Sequence, residues 1–255
     1  MKLDRGAARP AARVRGAASA WSGQGFAEPT PRAYDAVMWP AEKLLVRRWR
    51  RRLYGAIPAE SEGPRRDGPS VGGTVAADGR GRGGDGRGGT GPRVLEIGAG
   101  TGVGFAFYPA GVTVSAVEPS VAMAARARER AAGAAAAIEV VEARAEELPF
   151  ADGSFDCAVA TLTWCSVADP PAAFAEVHRV LRERGRLLLL EHVHARWRPA
   201  RQLQSLAAPA WRRVAQGCRL DQDTVGLLTA AGFSVERRRD HLLGWVVELQ
   251  ARKAG

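Results

Sequence analysis

The chain is poor in the residues and apolar runs that define several protein classes. Its 255 residues include three cysteines, Cys157, Cys165 and Cys218, whose spacing fits neither a metal-ligand motif nor a disulfide framework. No apolar run approaches the roughly 20 residues of a membrane span. The N-terminus also lacks the apolar core of a secretory signal. We therefore predict a cytoplasmic protein without a bound metal.

Acidic residues are scarce mainly at the N-terminus. Residues 1–53 hold twelve Lys or Arg against four Asp or Glu, so this segment carries +8 of the net charge of +10. The rest of the chain is close to neutral, and the basic balance says little about its partners. Residues 1–24 are rich in Ala, Arg and Gly and are predicted to be disordered. Their composition is similar to that of a transit peptide, but a GC-rich coding bias or a start codon assigned too early is the simpler account.

Large apolar residues are missing from residues 61–92. Between Gly63 and Pro92, twelve of thirty residues are glycine and none is Leu, Ile, Phe, Tyr or Trp. Such a segment cannot bury enough apolar area to offset the entropy lost on ordering, which predicts a flexible linker. Its Arg-Gly pairs are similar to RNA-binding repeats, but no aromatic side chain is available to stack a base. We therefore expect no specific nucleic-acid partner.

The stretch Arg93–Gly102 predicts a nucleotide-binding corner. Residues 94–97 predict a short buried strand, and a tight turn follows with three alternate glycines: Gly98, Gly100 and Gly102. A strand, a glycine turn and a helix start form the ligand-binding corner of doubly wound α/β folds. A dinucleotide fingerprint needs Gly-x-Gly-x-x-Gly, but Val103 and Phe105 occupy the two places where its third glycine would stand. The spacing therefore argues against a nicotinamide oxidoreductase.

Two acids flank this corner and indicate the kind of ligand. Glu96 ends the buried strand, where a carboxylate is costly unless a cation or a hydrogen-bond donor meets it. Glu118 ends the next predicted strand, twenty positions after Gly98, where it can accept hydrogen bonds from ribose hydroxyls. A ligand with an amino-acid end and a ribose but no phosphate is S-adenosylmethionine.

From about Arg93 to about Phe233 the sequence resembles the class I S-adenosylmethionine-dependent methyltransferases. The most specific pieces are Val-Leu-Glu-Ile-Gly-Ala-Gly-Thr-Gly at 94–102 and Ala-Val-Glu-Pro-Ser at 116–120. The resemblance implies an α/β fold with a Rossmann-like seven-stranded sheet, an antiparallel last strand and helices on both faces. It also implies methyl transfer from S-adenosylmethionine to a small molecule. The cofactor-binding residues would be Glu96, Gly98, Ala99, Gly100, Gly102, Glu118, Pro119, Ala145, Glu146, Thr161 and Leu162.

The chain is thus predicted to have four parts. Composition indicates a disordered basic segment 1–24 and a linker 61–92, and the resemblance implies N-terminal lid helices 25–60 and the methyltransferase domain 93–255. Tyr34 and Asp35 would lie near the start of the lid, and Pro40 would begin its second helix. The apolar and basic residues of this stretch could instead simply pack on the core, or lie on an anionic membrane surface. Peripheral membrane contact therefore stays an alternative.

Four short segments sharpen the resemblance: Phe107-Tyr108-Pro109, Cys165-Ser166-Val167, Glu191-His192-Val193 and Gly217-Cys218. They are similar to a branch that includes methyltransferase-like alkyl-thiol methyltransferases and bacterial phospholipid or quinone methyltransferases. The acceptor would then be a small apolar thiol, or a lipid-like or quinone-like molecule. No Asn-Pro-Pro-Tyr run follows Thr161, which argues against methylation of nucleic-acid bases. A non-catalytic cofactor-binding or nucleic-acid-associated protein is the alternative.

Two details of the implied site are open. Arg144 stands where the family usually has the acid that contacts adenine, so the backbone of Ala145 or the side chain of Glu146 would serve instead. His192 follows the fifth predicted strand at its carboxyl end. It could orient or deprotonate the substrate as a catalytic residue, or be a hydrogen-bonded structural residue.

Hydrophobic patterning predicts the remaining elements. The expected strands are 112–118, 138–141, 155–161, 185–193, 234–238 and 243–250. Helical segments are expected over 103–108, 120–132 and 170–181, and Asp221 or Asp223 should cap a further helix that ends near Phe233.

Overall fold

The structure is a computed structural model that describes residues 30–61, 91–195, 197–214, 218–220 and 222–254. The predicted disordered segment 1–24 and nearly all of the predicted linker 61–92 lie outside the described residues. Gly217 and Asp221 also lie outside them.

The described residues form a seven-stranded sheet with the strand order β3-β2-β1-β4-β5-β7-β6. The strands are β1 Arg93–Ile97, β2 Thr113–Val117, β3 Ala137–Val141, β4 Phe155–Thr161, β5 Leu181–His192, β6 Phe233–His241 and β7 Val246–Lys253. The first five strands pair in parallel, whereas β7 runs antiparallel to both β5 and β6. The predicted Rossmann-like sheet with its antiparallel last strand is confirmed.

The central strand β4 explains how the sheet is buried. All seven of its residues are buried, and successive side chains point to opposite faces of a sheet. Ala158 and Ala160 pack with α4, while Cys157 and Val159 pack with the N-terminal helices on the other face. Because both faces are covered, residues 157–160 of the strand are a continuous apolar run rather than an alternating one.

Six α-helices lie in the described residues: α1 Pro31–Ala41, α2 Arg47–Tyr54, α3 Val121–Ala131, α4 Pro170–Val180, α5 Arg198–Val214 and α6 Thr224–Ala230. Side chains cap four of them at their N-termini, and at α1 the Thr30 hydroxyl accepts from the Ala33 N–H at 3.3 Å. Ser120 accepts from the Met123 N–H, Asp169 from the Ala172 N–H and Asp223 from the Gly226 N–H. Such caps satisfy N–H groups that the first helical turn leaves without a partner. No helix in the described part of the chain is both long and apolar enough to cross a bilayer.

The N-terminal helices differ from the prediction at Pro40, which does not begin a helix. It lies inside α1, and a wider π-helical turn, Glu42–Val46, follows before α2 continues. Proline lacks an N–H and its ring displaces the carbonyl one turn earlier. The helix therefore widens there instead of ending, and residues 31–54 form one irregular helical run.

Strand boundaries near the end of the chain also differ from the prediction. β5 begins at Leu181, directly after α4, because Leu181 already pairs with Phe155 before a register shift brings Arg186 opposite Cys157. Arg184 has φ +61° within this irregular start. The strand was predicted to begin only at residue 185, because the charged residues of 181–186 do not give the apolar pattern of a buried strand. β6 is likewise longer than predicted, whereas β7 has the predicted length but begins and ends three residues later, in register with β6.

Candidate active site

The candidate site lies at the edge of the sheet where the parallel strands end. The glycine loop follows β1, Glu118 follows β2, Leu162 follows β4, and His192 ends β5. Open α/β sheets bind their ligands at this edge. The topology therefore brings together residues that are up to about a hundred positions apart in the sequence.

Glycine is required at the three alternate positions of the loop for different structural reasons. All have positive φ, +64° at Gly98, +56° at Gly100 and +80° at Gly102. A Cβ on Gly98 would lie 2.3 Å from Thr163 Cγ2, and one on Gly102 would lie 2.8 Å from the Phe105 ring. A Cβ on Gly100 would meet no atom within 4 Å. Two glycines therefore allow close packing, while Gly100 faces open space at the carboxyl edge.

Glu118 holds the glycine loop in place. Its Oε2 accepts from the Gly100 N–H at 2.8 Å, and its Oε1 accepts from the Ser120 N–H at 2.9 Å. The Ala99 N–H also donates to the Val117 carbonyl at 3.0 Å. A carboxylate offers about four acceptor positions, so Glu118 can bind the loop and still accept from ribose hydroxyls. Pro119, which follows it, is partly buried.

Glu96 is a buried acid below the loop. It is 2% exposed, and the Tyr54 hydroxyl donates to its Oε1 at 3.0 Å. Burial raises the pKa of Glu96 to about 7, although the nearby hydroxyls of Tyr108 and Tyr54 and the charge of Arg50 oppose the shift. Its Oε2 has no hydrogen-bond partner within the described residues. A ligand with an ammonium group would favour the ionised form and compensate this buried oxygen.

Helix α1 is tied to the glycine loop by an ion pair. Asp35 Oδ2 lies 2.6 Å from Arg130 Nη2 of α3, and the Thr101 hydroxyl donates to Asp35 Oδ1 at 2.7 Å. Arg130 also donates to the Thr101 carbonyl at 2.7 Å. Burial raises the pKa of the neighbouring Tyr34 to about 12; the charge of Arg50 opposes this shift, and the charges of Glu118 and Asp35 add to it. The helix thus lies next to the loop and β2 end, as a lid would.

We expect Asp35→Asn to loosen α1. A half-buried ion pair contributes about 1 kcal/mol, so amide hydrogen exchange in α1 should become about fivefold faster, because 1.4 kcal/mol corresponds to a factor of ten. Glu129→Gln is the matched control. It removes an exposed ion pair with Arg126 within α3. Equal exchange rates in both variants would contradict the anchoring role of Asp35.

The two residues predicted to contact adenine, Ala145 and Glu146, lie in the loop after β3. Glu146 Oε1 accepts from the N–H groups of Ala168 and Asp169 at 3.1 and 3.2 Å, and from Arg144 Nη2 at 3.2 Å. The side chain of Glu146 therefore fastens the loop before α4. Of the two alternatives for holding adenine, this geometry favours the backbone of Ala145.

The residues after β4 adopt an unusual backbone. Thr161 is buried, and Leu162 has φ +58°, a left-handed conformation that is rare for a residue with a branched side chain. The Leu162 N–H donates to the Leu190 carbonyl at 2.7 Å. The Thr163 hydroxyl donates to the Ile97 carbonyl at 3.1 Å, which ties this turn to β1. Such strain is commonly held at functional sites by the surrounding contacts.

Glu191 fixes the same turn and was missed by sequence analysis. It is completely buried, and its Oε1 accepts from the Thr163 and Trp164 N–H groups at 2.7 and 3.0 Å. Burial raises the pKa of Glu191 to about 7 against the opposing effect of these two donors. An acid inside the apolar run Leu187–His192 is the sequence signal that could have revealed it.

His192 lies beside two cysteines. Its Nδ1 is 3.5 Å from Cys218 Sγ and 3.9 Å from Cys165 Sγ. Burial lowers the pKa of His192, but the interaction with Cys218 and the charge of Glu191 outweigh it and raise the value overall. The cysteine spacing predicted no cluster, because Cys165 and Cys218 lie 53 positions apart in the sequence.

Comparison with known proteins agrees with this geometry. A family described as a methyltransferase domain matches residues 95–189. Thiol S-methyltransferase TMT1B of Homo sapiens is 37% identical over 147 residues, which cover 55% of this chain and 59% of that protein. Thiol S-methyltransferase TMT1A of Homo sapiens is 33% identical over 171 residues, which cover 61% and 70%. The chain thus spans about three fifths of TMT1B.

A solved structure supports the fold. The geranyl diphosphate C-methyltransferase of Streptomyces coelicolor A3(2), in complex with Mg²⁺, geranyl diphosphate and S-adenosyl-L-homocysteine, superimposes with a TM-score of 0.55. The match covers 64% of this chain and 73% of that chain at 15% sequence identity.

The residues at the carboxyl edge fit S-adenosylmethionine, the cofactor of this fold family. Gly100 leaves open space where a side chain would otherwise stand, and Glu118 lies within hydrogen-bond distance of the loop. The buried Glu96 oxygen supplies an anionic group for a cationic ligand. The roles of the individual residues stay predictions. The fold, the glycine loop and the relatives together show that the chain belongs to the class I S-adenosylmethionine-dependent methyltransferases.

Proposed function

We propose that the chain transfers a methyl group from S-adenosylmethionine to the sulfur of a small apolar thiol. The observation that carries the proposal is the 33% identity to a thiol S-methyltransferase over 61% of this chain. Two segments border the acceptor side in this fold: Cys165-Ser166-Val167 after β4 and Glu191-His192-Val193 at the end of β5. Both belong to the resemblance to the alkyl-thiol methyltransferase branch.

For this reaction, the protein mainly has to align the thiolate with the bond between the methyl carbon and the sulfonium. The sulfonium is already an activated electrophile, so the thiolate attacks the methyl carbon while the bond from that carbon to the sulfonium breaks. The products are a thioether and S-adenosylhomocysteine, and the thiol proton goes to solvent. Alignment in a near-attack geometry can supply roughly 7–11 kcal/mol. Free thiols have a pKa of about 8.5, so a strong base is unnecessary.

Residues of this chain supply the alignment and exclude water. Glu191 holds the turn at Thr163 and Trp164, and Trp164 is fully buried against Phe174 at a ring-centroid distance of 3.9 Å. The turn is therefore rigid where the acceptor must be oriented. The charge of Glu118 contributes to the raised pKa of Tyr34 of α1, so we expect α1 to limit access of water from its side.

A membrane-derived acceptor is the second candidate. Trp49 and Leu53 pack on the core, but Trp39 and Leu44 of the same helical run are 60% and 77% exposed. Exposed apolar residues beside basic ones suit the interface of an anionic membrane. A lipid or a quinone could then reach the site from the bilayer.

The test is transfer of radiolabelled methyl from S-adenosylmethionine to two acceptors, a small alkyl thiol and a total lipid extract. We expect label in the thioether and none with the alcohol of equal chain length, because its oxygen is far less acidic and less nucleophilic. Label only in the lipid extract would replace the thiol by the second candidate. Cofactor binding without any transfer would leave a non-catalytic binding protein.

A further inference from the structure

We propose that Cys165, His192 and Cys218 form a zinc site with three protein ligands. The site leaves the fourth coordination position for the sulfur of the acceptor thiol. The metal part of this inference stands on the geometry of the cluster alone, whereas the role of the fourth position rests on the proposed function.

The three ligand atoms have the spacing that tetrahedral zinc requires. With Zn–S near 2.3 Å and Zn–N near 2.0–2.1 Å, two ligand atoms of one site lie about 3.5–3.8 Å apart. His192 Nδ1 lies 3.5 Å from Cys218 Sγ and 3.9 Å from Cys165 Sγ, and all three atoms lie within 4.8 Å of one another. Shifts of a few tenths of an ångström, up to about 1 Å between the two sulfurs, would complete the site.

The chemistry of the ligand set favours zinc. Two thiolates and one imidazole suit soft or borderline metals rather than Mg²⁺ or Ca²⁺. Two thiolates also neutralise the charge of Zn²⁺, which matters because Cys165 and Cys218 are only 2% and 5% exposed. Sites with three protein ligands are characteristic of catalytic zinc, which keeps one position for water or substrate.

The cluster is held together by hydrogen bonds between separate elements. The Arg219 N–H donates to the Cys165 carbonyl at 2.8 Å, which fastens the Cys218 segment to the turn after β4. The buried side chain of Gln204 donates to the carbonyls of Val193 and Leu220 at 2.7 Å each. Each cysteine and the histidine thus has a neighbour that positions its backbone. A ligand set arranged before the metal binds loses little entropy on binding.

The position of the cluster connects it with the transfer reaction. Cys165 Sγ lies 3.9 Å from the carbonyl of Leu162, the residue expected beside the transferable methyl group. An acceptor thiol that binds zinc releases its proton to solvent and becomes a zinc-bound thiolate. Its sulfur then forms the bond to the methyl carbon as the sulfonium bond breaks, and the thioether leaves as a poor zinc ligand. Charge and atoms balance without an oxidant or reductant.

The first experiment measures metal content in the full chain, purified from cells supplied with zinc. We expect one zinc per chain by elemental analysis, less than one tenth in Cys218→Ser and in His192→Gln, and one again in Cys157→Ala. Cys157 is a buried cysteine of β4 outside the cluster. Thermal unfolding of each variant checks that it is folded, and Cys165→Ser gives a second route if Cys218→Ser does not fold.

The second experiment replaces zinc by cobalt, whose spectrum reports its ligands. We expect thiolate-to-cobalt charge-transfer absorption and tetrahedral ligand-field bands in the wild type and in Cys157→Ala, and neither in Cys218→Ser. Adding the alkyl thiol should shift the ligand-field bands, and adding the alcohol of equal length should not. Thiol methylation should fall at least about 100-fold in Cys218→Ser while cofactor affinity stays within about twofold.

The outcomes separate this inference from the proposed function. Thiol methylation by a metal-free chain, or a Cys165–Cys218 disulfide in the purified protein, would overturn the zinc site and leave the methyltransferase intact. If zinc binds to all three ligands but the chain methylates no thiol, the zinc site stands and the proposed thiol methylation is overturned. If adding the alkyl thiol leaves the cobalt ligand-field bands unchanged, the thiol does not occupy the fourth coordination position.

Discussion

Gly100→Val is expected to lower the affinity for S-adenosylmethionine at least about 100-fold, a loss of about 2.7 kcal/mol. Gly100 has φ +56°, and a Cβ there would project into space that no atom approaches within 4 Å. A valine side chain would fill that space, where the resemblance places the ligand. It would also disturb the hydrogen bond from the Gly100 N–H to Glu118. Calorimetric titration with S-adenosylhomocysteine measures the loss.

Gly111→Val is the matched control for backbone strain. Gly111 has φ +88°, and a Cβ there would also meet no atom within 4 Å. It lies in the turn before β2, at the opposite edge of the sheet from the glycine loop. Left-handed backbone costs roughly 1–2 kcal/mol for a residue with a Cβ, so both variants should lose stability, but only Gly100→Val should lose ligand affinity. If Gly100→Val and Gly111→Val bind S-adenosylhomocysteine equally well, the glycine loop is not part of the cofactor site.

The ligand-free chain should become less stable as pH rises from 5 to 8, partly because of Glu96. Its pKa is about 7 in the folded chain, compared with a reference value of 4.5. Between these values the folded state binds more protons than the unfolded state, so stability falls with rising pH. The stabilising proton is fully bound below pH 4.5 and is lost as pH passes 7. From pH 5 to 8 this single group removes about 2 kcal/mol.

Glu96→Gln should flatten this dependence. The amide keeps an acceptor for the Tyr54 hydroxyl but carries no titrating proton, so the variant should lose about 2 kcal/mol less than the wild type between pH 5 and 8. Urea unfolding at the two pH values measures the difference. Glu139→Gln on β3 is the control, because Glu139 is exposed and should leave the wild-type slope unchanged. A variant as pH-dependent as the wild type would show that Glu96 is ionised throughout.

Elements with a strong local signal could be predicted from the sequence. The apolar run with turn residues before it located β4 at residues 155–161, and the glycine spacing located the loop. Pro40 was misplaced because a helix can absorb a proline by widening, and nothing in the local pattern signals that the π-helical turn follows. The charged start of β5 was missed because pairing with β4, rather than its own apolar pattern, holds it in the sheet.

The side-chain constellation could be predicted only in part. Glu96 and Glu118 were identified because each acid follows or ends a strand next to the loop. The grouping of Cys165, His192 and Cys218 depends on how the segment after α5 returns to the sheet, and spacing along the chain contains no information on that return. The hydrogen bonds of Glu146 to the α4 loop are equally non-local.

Gln204 joins α5 to the cluster that we propose as a zinc site. Besides its two donated bonds, its Oε1 accepts from the Ala195 N–H at 2.9 Å, so one side chain joins three backbone positions around the cysteine and histidine cluster. Leu203 and Leu206, close to it on the same helix, are 57% and 80% exposed. A rotation of α5 would therefore displace the backbone near both His192 and Cys218. Under the proposed function, we expect substitutions on the outer surface of α5 to change which thiols are methylated, although these residues do not contact the cluster themselves.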